Sequence, residues 1–322
     1  LKSRWQHSAS KSSTCTNGEY SALVGERTQL TGNSFAWLPQ TIALFVLIGS
    51  AGSNFNPSLK SSVSGATLAA SRLSFFSLCL YIPNSWAAAA SDYYVYYPPS
   101  TPKWKTFFLT FAGLALSFRF VDLLGIGLAC GIVTNSDWSD AYEISSGALI
   151  VAGYGPLGGF GKLCAVGIAL GVIANCVPGT YSAAIGCQVM GRWSQMLPRW
   201  MWVVFLVTIQ LACALAGRNQ LFVIFSNFLA LMGYWVMVMI CIVLEEHLIF
   251  KPVLDWERWA DRDSVPLGIA ALVAFLLGWV GAVLGMDQTW FVGPLAEACG
   301  GADVGMWVGC AFALVVFPPL RW

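Results

Sequence analysis

An amide, a proline, a glycine and a hydroxyl stand together in the middle of a greasy run. Asn175, Pro178, Gly179 and Thr180 lie within ALGVIANCVPGTYSAAIG, residues 169–186. A polar side chain persists in hydrocarbon where it faces a cavity or a partner. The Asn175 amide offers two donors and an acceptor, which matches the edge of an amide-like heterocycle. Pro178 has no N–H to give and frees a backbone carbonyl in the preceding turn. Interrupted helices of this kind build the substrate sites of secondary transporters. A plain proline kink, with Asn175 satisfied by a neighbouring helix, accounts for the same residues, and this segment alone favours neither reading.

A second interrupted run, LYIPNSWAAAASDYYVYYP, covers residues 80–98. Pro83, Asn84 and Ser85 break it just before Trp86, and four alanines follow, small enough for another helix to approach closely. A Trp beside irregular backbone and small neighbours is placed to stack on a flat ligand. The commoner fate of a membrane Trp is an interfacial belt, although Trp86 falls well inside the apolar segment. Elsewhere, Arg119 and Asp122 share a helix face at i, i+3 and are expected to form a local salt bridge; a proton or ion path is the sharper alternative. Glu245, Glu246 and His247 read as a solvated charge cluster at a cytoplasmic helix end. Asn227 and Tyr234, seven apart on one face, either line a cavity or bond a neighbouring helix. The glycines of GYGPLGGFGK, residues 153–162, are expected to form a flexible external loop. No phosphate-binding motif accompanies them, because neither a strand–GxGxxG–helix context nor a P-loop pattern is present.

The elements that position these residues are apolar helices. Eight runs approach the ~20 residues that a bilayer core requires: Phe35–Ser53, Ala66–Ala90, Thr106–Val133, Leu163–Met190, Trp200–Gly217, Leu221–Leu244, Leu267–Met286 and Val304–Leu320. The last is expected to end at Pro318-Pro319. Only 10% of the 322 residues are charged and 57% are hydrophobic, against roughly 25% charged in a soluble domain, so lipid is the better solvent for this chain. The net charge of +1 gives no basic field for nucleic acid. Ten cysteines without a CxxC pair and two distant histidines imply no disulfide framework, no metal site and no cofactor. No HExxH, GxSxG or paired intramembrane carboxylate points to an enzyme. Lys103, Lys105, Arg192, Arg199, Lys251, Arg258, Arg262 and Arg321 alternate with the acidic loops holding Asp137, Asp140, Glu143, Asp287, Glu297 and Asp303. The positive-inside rule then places both termini in the cytoplasm, with Lys60 and Arg218 as exceptions. Residues 1–34 are polar, Ser/Thr-rich and without periodicity; they are expected to be a disordered or atypical N-terminal segment.

GVIANCVPGTYSAAIGCQVMGR, CALAGRNQLFVIFSNFLALMGYW, CIVLEEHLIF and LGWVGAVLGM, with SRLSFFSLCLYIPNSWAAAASDYYVYYP and TNSDWSDAYEISSGALIVAGYGPLGGFGK, resemble the fungal purine–cytosine permeases of the nucleobase–cation symporter-1 family. The resemblance covers residues 35–322. It implies an all-α, polytopic membrane protein with a LeuT-type helical bundle. The eight runs correspond to the family's fifth to twelfth transmembrane helices, so residues 35–322 are expected to be a partial permease domain lacking the first four. By the same resemblance Trp86 stacks on the base and Asn175 hydrogen-bonds it. Pro178 shapes the adjoining turn, and Ser85, Cys176 and Asn227 line the substrate site. Cys176 departs from the polar residue usual beside that Asn. Ala169 and Leu170 stand where sodium-coupled bacterial relatives carry hydroxyls, and apolar side chains cannot ligate Na⁺, so proton coupling is implied. The expected partners are a nucleobase (adenine, guanine, hypoxanthine or cytosine), H⁺ and membrane lipid in the plasma membrane. The expected function is import by alternating access. The alternative is a truncated, non-transporting membrane protein.

Overall fold

The computed structural model describes residues 37–94, 97–98, 100–218, 221–250 and 268–322. Residues 1–34, Val95, Tyr96, Pro99 and the basic residues Lys251, Arg258 and Arg262 lie outside the described residues. Among the described residues the protein is all-α apart from one hairpin of two-residue strands, Asp287–Gln288 and Phe291–Val292. Each of the eight apolar runs falls on a helix: α1 (residues 37–51), α2 (Gly65–Ser85), α4 (Lys103–Thr134), α7 (Gly158–Val189), α9 (Arg199–Gly217), α10 (Leu221–Glu245), α11 (Ile269–Gly285) and α13 (Gly305–Arg321). The short helices α3 (Ala90–Tyr94), α5 (Ser136–Ile144), α6 (Ser146–Gly153), α8 (Arg192–Met196) and α12 (Pro294–Ala298) lie between them. Five of the eight are long and apolar enough to cross a membrane: those beginning at Gly65, Lys103, Gly155, Arg199 and Val223. α11 and α13 have 17 residues each, at the short end of the range for a membrane-crossing helix. At 1.5 Å per residue that is about 26 Å, short of a ~30 Å hydrocarbon core.

The chain divides into two compact units: one combines residues up to Phe55 with Gly131–Tyr181, the other Asn56–Cys130 with Ser182–Trp322. In the first, side-chain caps start the short helices. The Asn135 carbonyl oxygen accepts from the Asp137 N–H at 3.0 Å, and the Ser145 hydroxyl accepts from Ala148 at 3.0 Å, each satisfying a donor that a helix start leaves open. The buried Tyr154 hydroxyl donates to the Ala43 carbonyl at 2.5 Å, and Ser50 Oγ donates to the Gly153 carbonyl at 2.8 Å. These two bonds tie α1 to the α6–α7 connection. Residues 153–162 therefore correct the expected flexible loop: Gly155–Leu157 is a 3-10 turn, and α7 starts at Gly158.

The second unit is organised around α10, α11 and α13. Gly278 and Gly309 meet across α11 and α13, where a Cβ on Gly309 would stand 3.0 Å from the Gly278 carbonyl. Gly305, Gly309 and Ala313 recur every fourth residue, the small-residue stripe that lets membrane helices approach closely. Val238, Cys241, Ile242, Ala274, Cys310, Ala313 and Phe317 form the buried cluster around this seam. At one end, Arg321 forks onto Glu246 in the π-helical turn Glu246–Phe250, Nε to Oε2 at 2.8 Å and a terminal nitrogen to Oε1 at 3.1 Å. The guanidinium also lies 5.3 Å from the centre of the Phe250 ring. The expected solvated cluster at 245–247 is thus corrected for Glu246, which is paired, while His247 is exposed. The same fork and the Trp322 N–H to Pro318 carbonyl bond at 3.0 Å carry α13 through Pro318-Pro319 to Arg321. The expected Arg119–Asp122 bridge is absent among the described residues; Asp122 faces the Cys79 thiol of α2 instead.

Candidate functional site

Trp86 opens a 3-10 turn, Trp86–Ala88, that interrupts the second apolar run directly after α2. Pro83 lies inside the last turn of α2; its ring removes an N–H there and favours the tighter winding that follows. Trp86 is half-buried, and its turn packs against α10. Ser85 is turned back on its own helix, Oγ donating to the Ile82 carbonyl at 2.7 Å. Asn84 points its amide at the Met237 sulfur of α10, 3.4 Å away. Asn227 bonds the hairpin between α11 and α12, its Nδ2 donating to Thr289 Oγ1 at 2.9 Å. Of the two readings of the Asn227–Tyr234 face, bonding to neighbouring elements is the one observed.

Asn175, Cys176 and Pro178 belong to the other unit, on α7. The helix runs unbroken from Gly158 to Val189 through Pro178, so of the two readings of this segment the continuous helix carrying a proline is the one observed. One missing N–H is tolerated inside a membrane helix; the Thr180 hydroxyl donates to the Cys176 carbonyl at 2.9 Å, two residues beyond the Ala174 carbonyl that Pro178 leaves open. Asn175 and Cys176 are exposed and Pro178 is half-buried. Trp86, Ser85 and Asn227 thus fall in one unit and Asn175, Cys176 and Pro178 in the other.

A polar knot inside the second unit is the feature that the sequence reading passed over. Asp303, just before α13, is buried. Its carboxylate accepts from Tyr81 of α2 at 2.8 Å and from Tyr234 of α10, whose hydroxyl is 2.8 Å from both oxygens. The Gln288 amide donates to Tyr234 at 2.9 Å and to the carboxylate at 3.3 Å, and the Gly305 N–H donates at 3.2 Å. The carboxylate also sits at the N-terminus of α13, where the helix dipole favours negative charge. No salt bridge reaches Asp303 among the described residues. Burial raises its carboxyl above the ordinary value, while the bonds from Tyr234, Tyr81 and Gly305 pull it back. Its backbone is engaged too: the N–H donates to Ser74 Oγ at 2.8 Å and the carbonyl receives the Ser77 hydroxyl at a long 3.4 Å. The signal that existed was the spacing of Ser74, Ser77 and Tyr81, which puts three polar groups on one face of α2.

The chain is 33% identical over 315 residues to a vitamin B6 transporter of Saccharomyces cerevisiae, covering 82% of this chain and 54% of that protein. It is 34% identical over 293 residues to a purine–cytosine permease of Emericella nidulans, 89% of this chain and 58% of the permease. A purine–cytosine permease of Saccharomyces cerevisiae is 31% identical over 298 residues, 89% and 55%. The chain thus spans about half the length of the curated relatives it matches. No family model matches it, and no solved structure matches it significantly. An all-α chain of membrane-length apolar helices that aligns over most of its length with these permeases belongs to their family, the nucleobase–cation symporters of class 1.

Proposed function

We propose that this chain carries the Trp86 side of a substrate site in a plasma-membrane transporter that imports purines and cytosine with protons by alternating access. The carrying observation is the 3-10 turn Trp86–Ala88, which closes the apolar span Gly65–Ala88 and packs against α10. A half-buried indole where the winding changes at the end of a span offers a stacking face to a planar base. From α7, the exposed Asn175 reads the polar edge of the base, with Cys176 beside it. Residues 35–322 correspond to the fifth to twelfth helices of a LeuT-type bundle. No Ser or Thr stands at Ala169 or Leu170 to ligate sodium, which supports proton coupling.

A second reading has its own support: the transporter of vitamin B6 matches as well as the purine–cytosine permeases do. A pyridine ring presents the same flat face to Trp86 as a purine. Uptake of radiolabelled adenine, hypoxanthine, cytosine and pyridoxine in a host lacking its own permeases separates the two. The expected result is saturable purine and cytosine uptake that falls as external pH rises. Trp86→Ala removes stacking worth ~1–3 kcal/mol and raises KM about 10- to 100-fold. Uptake of pyridoxine alone favours the second reading; uptake of none, once the chain is joined to the preceding helices of a purine–cytosine permease and reaches the membrane, removes both.

A further inference from the structure

Three successive turns of α2 present Ser74, Ser77 and Tyr81 to a single residue of another element. Asp303 meets Ser74 with its N–H, Ser77 with its carbonyl and Tyr81 with its carboxylate. The neighbouring Trp307 of α13 repeats the contact, its indole N–H donating to Ser77 Oγ at 3.0 Å and its ring stacking on Phe76 at 6.1 Å. Spacings of three and four residues keep these groups on one stripe of the helix. Contacts on three turns fix both the rotation of α2 about its axis and its position along it. The stripe ends one turn short of the 3-10 interruption. On its far side, Asp303 is held by Tyr234 of α10 and by Gln288 of the hairpin. A carboxylate surrounded by donors, with no cation on it among the described residues, suits a junction, since each donor arrives from a different element.

We propose that Asp303 is a positioning residue for the Trp86 site, acting through Tyr81 and the serine stripe to set the register of α2 against α10 and α13. The proposal rests on the reading of Trp86 as a substrate contact, but its geometric half is tested without any substrate.

The test compares wild type, Asp303→Ala, Asp303→Asn and Tyr81→Phe, purified in lipid nanodiscs, by hydrogen–deuterium exchange of peptides covering residues 77–90. The same four proteins are assayed for uptake kinetics at matched surface abundance. Asp303→Ala is expected to speed exchange across 77–90 at least tenfold while leaving residues 269–285 within twofold of wild type. KM for the transported base is expected to rise at least tenfold with maximal rate within threefold. Asp303→Asn, which keeps the shape and one acceptor, restores at least half of each change, and Tyr81→Phe falls between. Unchanged exchange at 77–90 overturns the proposal. So does a rise spread equally over 269–285, which marks a merely structural role, or a fall in maximal rate at constant KM. If wild type moves no base at all, the transport reading fails and exchange alone decides whether Asp303 sets α2.

Discussion

Gly233 of α10 lies under the Tyr81 ring so closely that a Cβ there would collide with it. Ring and helix can meet only because this position lacks a side chain. Gly233→Ala is therefore expected to cost ~1–3 kcal/mol, the range for overpacking a filled core, and to lower the apparent melting midpoint in nanodiscs. Gly125→Ala in α4, where nothing lies within 4 Å, is the control; it is expected to hold or raise the midpoint, since alanine is the better helix former. Asp303 makes a second prediction at this scale. Its carboxyl is raised by burial, so the folded chain binds that proton more tightly than the unfolded chain does. The stabilisation is full below the ordinary carboxylate pKa, roughly 4, and is lost as pH rises through the raised value. Melting midpoints taken from about pH 4 to 7 should fall with pH in wild type and lose that slope in Asp303→Asn; equal slopes would contradict the assignment. Half of this was readable: the spacing of Ser74, Ser77 and Tyr81 marks a polar face of α2, but Asp303, its partner, is 222 residues from Tyr81. A lone acid in a short loop gives no sign of a partner at such a distance. The change of winding at Trp86 was readable, because the proline, amide and serine before it stand out against apolar neighbours.

At the scale of elements, the apolar runs located all eight major helices, since unbroken hydrophobicity in lipid leaves few alternatives to helix. Their interruptions were read less well. Pro83 precedes a real change of winding, whereas Pro178, in equally apolar surroundings, leaves α7 continuous. Pattern cannot separate these cases, because each proline removes the same N–H from an equally apolar helix. The Arg321–Glu246 fork shows the same dependence on context. Both side chains keep roughly a fifth to a quarter of their exposure, and the pair locks the end of α13 to the π-helical turn after α10. Its geometry is bidentate, the arrangement that makes an ion pair count. Arg321→Glu is expected to lower the midpoint by the equivalent of about 1 kcal/mol. Glu246→Arg in the same chain should recover at least half of that loss, because the swapped pair can re-form. A double variant no better than the single one would mean that packing on Phe250, and not the charge pair, holds this end.

The whole molecule is governed by the direction in which its helices cross lipid. Within the second unit, the Arg321–Glu246 fork joins the C-terminal ends of α10 and α13. The Asn227–Thr289 bond ties the start of α10 to the hairpin between α11 and α13. Hence α10 and α13 run parallel, and the hairpin belongs to the end opposite Arg321. The basic residues Lys103, Lys105, Arg199 and Arg321 predict a cytoplasmic face for their loops, and Asp137, Asp140 and Glu143 predict the opposite face for theirs. The weak point is α11 and α13, about 26 Å long at 17 residues each. They cross only where the bilayer is thin or yields locally, at a modest cost per ångström of mismatch. Glycosylation-acceptor cassettes placed at Asp140, at Thr289, at Thr101 and after Trp322 decide the matter. Modification is expected at Asp140 and Thr289 and not at Thr101 or Trp322. Modification at Thr101 instead of Asp140 would invert the whole chain. An unmodified Thr289 beside a modified Asp140 would leave the chain upright but make α11 and α13 a re-entrant pair that dips into the membrane without crossing it. The Asp303 knot, tied at the hairpin end of that pair, would then lie within the bilayer and not at its outer surface.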